Sequence, residues 1–243
     1  MEKMKRLLRR LLPMLAVLLG FCGRDRMAGG TDEVQNPALQ MGLVDAAGHL
    51  HRQGKLRIYS RLQNPLHDSL PILTQTVDSI RPTRIEAARL YAAMDSAQKR
   101  GLPWDNRDTL EFNIVAASPG AEALGQGFLL VRQAGGALGF RRLWPWGIQN
   151  PDSLGVLAET LQVAPPVLAF QGQVGPQGSA LAIQGVFIPG TPYQAGVGLD
   201  GAFTLTRLAR GRFELHAMTP DLRTYRSQDT LNTDSAFTAR NWE

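Results

Sequence analysis

Histidines, carboxylates and tryptophans are the residues of this 243-residue chain whose types could do chemistry. His49-Leu50-His51 has the spacing that puts two imidazoles on one side of a strand, as a metal site can use when a third ligand is near. No third ligand stands at a suitable spacing, and His67 and His216 are far off in sequence, so the pair reads as solvated residues beside a turn. Asp105, Asp108, Glu111 and Glu122 supply carboxylates, yet no two are placed so as to dictate acid–base work. A Gly-x-Ser-x-Gly elbow, a His-Glu-x-x-His pair and a Walker glycine loop are all missing from the sequence. The expectation is a non-enzyme with no catalytic residue, no metal site and no cofactor. Trp144-Pro145-Trp146 is a different kind of signal, because an aromatic face stacks on a sugar ring or anchors a partner while its edge stays polar. Trp144, Trp146 and, further on, Tyr193 are therefore the candidate ligand-binding residues, for a glycan or an envelope protein. The competing reading packs both tryptophans into a junction between two halves, shaped by Pro145 and Gly147; Trp104 lies in another loop-like stretch.

The elements that must position these residues are clearest after residue 166. Apolar residues there recur with period two between turn residues, the pattern of short antiparallel strands. Leu168, Phe170 and Val174 alternate, Leu181 to Ile188 form an apolar run that Gly185 breaks as a bulge, and Tyr193, Ala195, Val197 and Leu199 alternate again. Asp200-Gly201 suits a two-residue hairpin turn, Phe203 and Leu205 resume the pattern, Arg210-Gly211 turns, and Phe213, Leu215 and Ala217 complete a strand on which His216 points outward. Such strands need two packed sheets or a barrel to bury their apolar faces.

The runs Gly172-Gln-Val174, Ile183-Gln-Gly-Val-Phe-Ile-Pro-Gly-Thr191, Val197-Gly-Leu-Asp-Gly-Ala-Phe-Thr-Leu205 and Leu208-Ala-Arg-Gly-Arg-Phe-Glu-Leu215 together resemble a carboxypeptidase regulatory-like domain over residues 166–220. Two positions depart from that family's pattern. Gly198-Leu199 replaces the usual Thr-Asp before the hairpin, and Phe213 stands where Tyr is usual. The resemblance implies a small transthyretin-like β-sandwich, grouped with carbohydrate-binding-like folds, in a non-catalytic structural or binding role.

Residues 38–150 read as a looser β-rich domain, possible to construe as a diverged second sandwich. Met41, Leu43 and Val44 lead into an Asp45–Gly48 turn, Leu56 and Ile58 share a face, and Leu110, Phe112, Ile114, Phe128, Leu130, Leu138 and Phe140 follow around a Ser118-Pro119-Gly120 turn. The stretch 60–108 reads as an insertion carrying one helix over about 84–99, opened by a Thr83-Arg-Ile-Glu86 capping box and closed at Gly101. Ala87, Leu90, Tyr91 and Met94 lie at helical spacing on one face. The expected fold class is thus mainly β, with one or two small transthyretin-like or Ig-like β-sandwiches and one helix inserted in the N-terminal half.

The charge balance looks basic, 26 Lys+Arg against 21 Asp+Glu, but five of those cations and one acid lie in residues 1–21. The remainder carries 21 against 20, so no nucleic-acid partner is expected. Arg207, Arg210 and Arg212, and the pair Arg141-Arg142, read as solvated turn and strand-face residues. Residues 1–22 have a basic start and then the uncharged apolar run Leu11–Phe21, the organisation of a signal peptide and too short to span a bilayer. Leu19-Gly20-Phe21-Cys22 resembles a bacterial lipobox, with Phe21 departing from the small residue usual before Cys; the resemblance implies lipidation of Cys22 and a membrane-anchored envelope protein. A periplasmic or secreted protein, cleaved after residue 22 or 23, is the alternative. Residues 23–37 read as a flexible tether, in which Ala28-Gly-Gly-Thr-Asp-Glu33 looks like the tether of certain envelope lipoproteins, and residues 221–243 as a polar tail.

Overall fold

The computed structural model describes residues 36–77, 81–144, 147–149, 156–175 and 182–243, and Asn36–Glu243 forms one compact unit. Cys22 and the tether through residue 35 lie outside the described residues.

The first half is built from β1 (Ala38–Val44), β2 (Gly54–Ser60), β3 (Leu73–Val77), β4 (Thr83–Glu86), α1 (Ala87–Lys99), β5 (Thr109–Ser118), β6 (Ala121–Arg132), β7 (Leu138–Trp144), β8 (Gly147–Gln149) and β9 (Val156–Gln162). These strands make two sheets, in the orders β4-β1-β9 and β3-β2-β5-β6-β7-β8. Leu39, Met41 and Leu43 from one sheet meet Leu56, Ile58, Phe112, Phe128 and Phe140 from the other in a single buried cluster, which is the core of a sandwich. The second half holds β10 (Val167–Val174), β11 (Gly185–Phe187), β12 (Gln194–Gly196), β13 (Ala202–Leu208), β14 (Arg212–Met218), β15 (Thr224–Asn232) and β16 (Phe237–Ala239). Its sheets run β13-β10-β16 and β12-β11-β14-β15, and Phe170, Val186, Phe203, Leu205, Phe213, Leu215 and Leu231 fill a second core. Among the described residues the fold is mainly β with one helix in the N-terminal half, as the alternation predicts.

The two halves share one topology. In the first, β1 is flanked by β4 antiparallel and by β9 parallel; in the second, β10 is flanked by β13 antiparallel and by β16 parallel. The facing sheets correspond too, β3-β2-β5-β6 matching β12-β11-β14-β15 with every neighbour antiparallel. Even the register shifts correspond, one in β5–β6 between Phe112 and Ile114 and one in β14–β15 between Glu214 and His216. What the first half adds is α1 between its fourth and fifth strands and the β7–β8 hairpin before its last.

Several expectations are corrected. Thr83–Glu86 does not cap the helix, because it pairs with β1 as β4; the helix starts at Ala87 and its N-cap Glu86 makes no side-chain cap bond. Its far end follows the C-cap expectation: Gly101 at φ +99° donates to Gln98 and Leu102 donates to Ala97, a Schellman arrangement. The stretch 60–108 is not a simple insertion, since β3 and β4 belong to the sandwich. Residues 221–243 are not a tail. They form β15 and β16, which bury Leu231, Phe237 and Ala239, and the last residues then hydrogen-bond to β15 through Arg226–Glu243 and Gln228–Asn241. Small polar residues such as Ser227 and Thr233 take inward positions there, which hides the alternation. Asp200-Gly201 is not a two-residue turn either. Gly198 and Ala202 close a three-residue loop in which Gly201 alone has positive φ, +80°, a type I turn followed by a left-handed residue. Gly185 sits in regular register with Gly196 and Met218, so no bulge occurs at it.

Candidate functional site

Tyr193 is not a surface platform. The strand parity that aligns it with Ala195 and Val197 turns its ring inward, leaving it 6% exposed and edge-on to Phe213. Trp104 is buried as well, its ring 5.0 Å from Tyr91 and its indole N–H donating to the Thr109 carbonyl. Trp144 ends β7, its backbone paired with Gly147; its side chain, and Trp146 altogether, lie outside the described residues. His49 and His51 line one open cavity with Asp45, whereas His67 and His216 lie elsewhere in the fold. His49 and His51 flank the single bridge residue Leu50 rather than riding on a strand, and His49 meets Asp45 at 3.1 Å. Among the described residues no group of three or more His, Cys, Asp or Glu side chains could hold a metal ion, and no helix is long and apolar enough to cross a membrane.

The structure does bring polar residues together where the two sandwiches meet: Glu122, a carboxylate to which the sequence assigned no role, Arg207, expected to be solvated but ion-paired, and Asn113 and Gln126, which the sequence reading did not single out. Glu122, at the start of β6, is a buried carboxylate that accepts two hydrogen bonds from Arg207 at 2.8 and 3.2 Å. The Tyr193 hydroxyl reaches the same carboxylate at 3.4 Å and accepts from the Ala209 amide; burial, then the nearby Glu122 charge, pushes the phenol well above its ordinary range. Arg207 adopts φ +53°, a conformation unfavourable for a residue with a Cβ, and its ion pair holds it there. The register shift in β5–β6 sets two residues against Asn113, and such bulges re-aim side chains. Buried Asn113 accepts from Gly127 and donates across the junction to the Pro189 carbonyl, while Gln126 donates to the Arg212 carbonyl. Arg142, expected to be solvated, instead lies over the Phe128 ring at 4.2 Å and pairs with Glu159.

Glu214 is the hub of a second group. It meets His216 at 2.5 Å, Arg226 at 3.4 Å and, from the first half, Arg61 at 3.5 Å, while the His216 ring packs on buried Phe187. The His216 hydrogen bond, with the charges of Arg61, His216 and Arg226, lowers the Glu214 carboxyl to about 2 against the desolvation that burial imposes. A carboxylate depressed in the folded state stabilises the fold above its unfolded pKa, and that stabilisation is lost as pH falls from about 4.5 toward about 2. Allowing for solvent screening at this partly exposed site, the loss is on the order of 1–2 kcal/mol. Urea unfolding of Glu214→Gln is expected to show a correspondingly flatter pH dependence across that window; an unchanged slope excludes Glu214 as its source.

The open face of the β13-β10-β16 sheet is the candidate ligand-binding surface. Gln171 lies opposite Thr204, Ala169 opposite Thr206, and Gln173 between Ala202 and Thr238. Gln171, Gln173, Thr204, Thr206 and Thr238 are exposed, and a shallow cavity of about 350 Å³ opens over Gln171, Gln173 and Thr204. The Gln173 amide donates to the Asp200 carbonyl, which fixes one end of this row. Amides and hydroxyls donate and accept without charge, so the face suits a neutral polar ligand rather than an ion. A β-strand of Gln and Thr carries no motif, which is why only the pairing of three strands makes the surface visible.

No family model matches the chain, and no curated protein matches it. Among solved structures the chain is similar to a crystal structure of a putative adhesin from Bacteroides ovatus ATCC 8483, at 9% identity over 87% of this chain and 89% of that one, with a TM-score of 0.23. A likeness at that score carries no argument about this chain.

Proposed function

We propose that this chain is a non-enzymatic cell-envelope lipoprotein, anchored to the membrane through Cys22, whose tandem β-sandwiches serve a structural or ligand-binding role, the second of them being of the carboxypeptidase regulatory-like kind. The observation that carries the reading is the junction. Glu122–Arg207, Asn113–Pro189 and Arg61–Glu214 tie two sandwiches of one topology into a single unit, behind a segment whose Leu19–Cys22 resembles a lipobox. A lipid chain contributes about 0.8 kcal/mol per buried CH₂ to such an anchor. Metabolic labelling with radioactive palmitate tests the anchor: label is expected in the full chain and not in Cys22→Ala. Absence of label from the first, or its persistence in the second, overturns it.

The exposed amide and hydroxyl rows favour one second reading, a carbohydrate-binding module for neutral glycans, placed on Gln171, Gln173 and Thr204 rather than on Tyr193. On a glycan array the chain is expected to retain uncharged oligosaccharides, and Gln171→Ala with Gln173→Ala to weaken retention by about tenfold, the loss of roughly one hydrogen bond's worth of binding energy. Retention unaffected by the double change removes this face from consideration.

A further inference from the structure

β10 is the middle strand of its sheet, yet only one of its two sides is paired along its length. On the first side β13 runs beside it from Val167 to Gln173. On the second, β16 reaches only Gly172–Val174. The Val174 amide donates to Gly201 on the β13 side, and the Gly175 amide donates to Ala239 on the β16 side. Backbone groups alternate in direction along a strand, and no register shift interrupts the β10–β13 ladder, so the odd-numbered residues of β10 face the β16 side. The N–H and C=O of Ala169 and the N–H of Gln171 therefore lie past the start of β16. Both residues are exposed, and no hydrogen bond among the described residues takes these groups up.

The first sandwich fills the corresponding place completely. There β9 runs parallel to β1 from Ala38 against Val156 to Val44 against Gln162, and the core-facing Leu39, Met41 and Leu43 of β1 are all buried. In β10, Leu168 has the core-facing parity of Phe170 and Val174 but is 71% exposed. Folded proteins guard open strand edges with charges, prolines or bulges. Val167–Gln171 carries none of these.

We propose that the open side of β10 over Val167–Gln171 is a strand-addition site, which takes an extended segment of a partner protein, parallel to β10 and in line with β16. Donors and acceptors that recur every two residues, about 6.6 Å apart, are matched by another extended backbone. Leu168 asks for an apolar residue at alternate positions of that segment, the part that Leu157 and Leu161 of β9 take beside Leu39 and Leu43. A second copy offering the same edge does not fit. Two-fold antiparallel pairing sets Val167 of one copy against Gln171 of the other, and Pro166 then falls where β16 already lies. Five open residues span about 16 Å, so main-chain bonds alone hold the segment weakly and the side chain over Leu168 adds selectivity.

A nuclear magnetic resonance titration of residues 36–243, a compact unit containing both cores, tests this with the peptide Val-Leu-Ala-Glu-Thr-Leu-Gln, the sequence of β9. Amide shifts are expected to centre on Val167–Gln171, with hydrogen exchange at Ala169 and Gln171 slowed at least about tenfold. Ala169→Pro removes a donor of the open side without removing a β10–β13 bond, since proline is tolerated where the N–H faces outward. It is expected to unfold cooperatively and to bind the peptide at least about tenfold more weakly. Leu168→Ser, a change at an exposed side chain, is expected to weaken binding as well. Shifts centred on Ala38–Val44 instead, where the peptide would replace β9, overturn the proposal, as do no shifts at all or binding that both variants leave intact. Exchange at Ala169 and Gln171 that is already slow in the free chain also overturns it. Slowing that follows protein concentration without peptide does the same, because a second copy is then the occupant.

Discussion

Phe112→Ala is expected to lower the unfolding free energy by about 3–5 kcal/mol, the range for removing a fully buried aromatic ring. Phe112 is 0% exposed, stacked on the directly opposite Phe128 with centroids 5.6 Å apart, and edge-on to Phe140 at 6.1 Å. Truncation removes the apolar contact and both ring–ring interactions, and leaves a cavity between two sheets that their hydrogen bonds keep from collapsing. Urea unfolding of residues 36–243 followed by fluorescence checks the magnitude and also the coupling of the halves. Because buried polar groups join the sandwiches, one transition is expected to move as a whole. Two transitions, with only one displaced, would mean that the halves unfold independently; a loss below about 1.5 kcal/mol would mean that the site repacks.

Gly190→Ala is expected to cost about 2–4 kcal/mol, which is large for the addition of one methyl group. Gly190 follows β11 at φ +66°, and a Cβ there would stand 2.9 Å from the Asn113 amide nitrogen, 3.1 Å from the Arg61 Cα and 3.2 Å from the Ser60 carbonyl oxygen. Two of those neighbours are backbone, which cannot swing aside. The third is the Asn113 amide that donates to Pro189, and displacing it leaves a buried donor unpaired. The residue therefore combines an unfavourable backbone conformation with the loss of a bond that crosses the junction. Chemical unfolding measures the loss, and Asn113→Ala is the companion variant. If the hydrogen bond is the main part, the double change costs much less than the sum of the two single ones; additive losses would put the effect in the backbone alone.

Much of the strand content was legible because it depends on side-chain parity. Leu56 and Ile58, Leu110 to Ile114, Phe203 and Leu205, and Phe213 and Leu215 alternate in sequence and are buried in the structure. Legibility failed where parity was carried by small or polar residues. Thr83–Glu86 looked like a capping box because Thr and Glu three apart serve either purpose, and only pairing with β1 decides for a strand. Val156–Gln162 and Thr224–Asn232 lack a clean apolar row, yet the first lies beside β1 in full parallel register and the second beside β14. The candidate site was less legible still. Tyr193 lies just before β12 rather than on a strand, and it is buried rather than at a surface, since parity says which residues share a face and not which face is covered.

What the sequence by itself determined is local: the period-two strands, the turn glycines, the amphipathic face of α1 and its glycine stop, and the confinement of most of the net positive charge to residues 1–21. Each of these rests on neighbours a few residues apart. The tertiary structure alone decided that the halves repeat one topology, that Glu122 meets Arg207 across 85 residues, and that β16 pairs with only Gly172–Val174 of β10. Sheet order and junction contacts depend on which distant strands pair, and that choice follows from the burial and hydrogen bonding of the whole chain, of which no short segment carries a record.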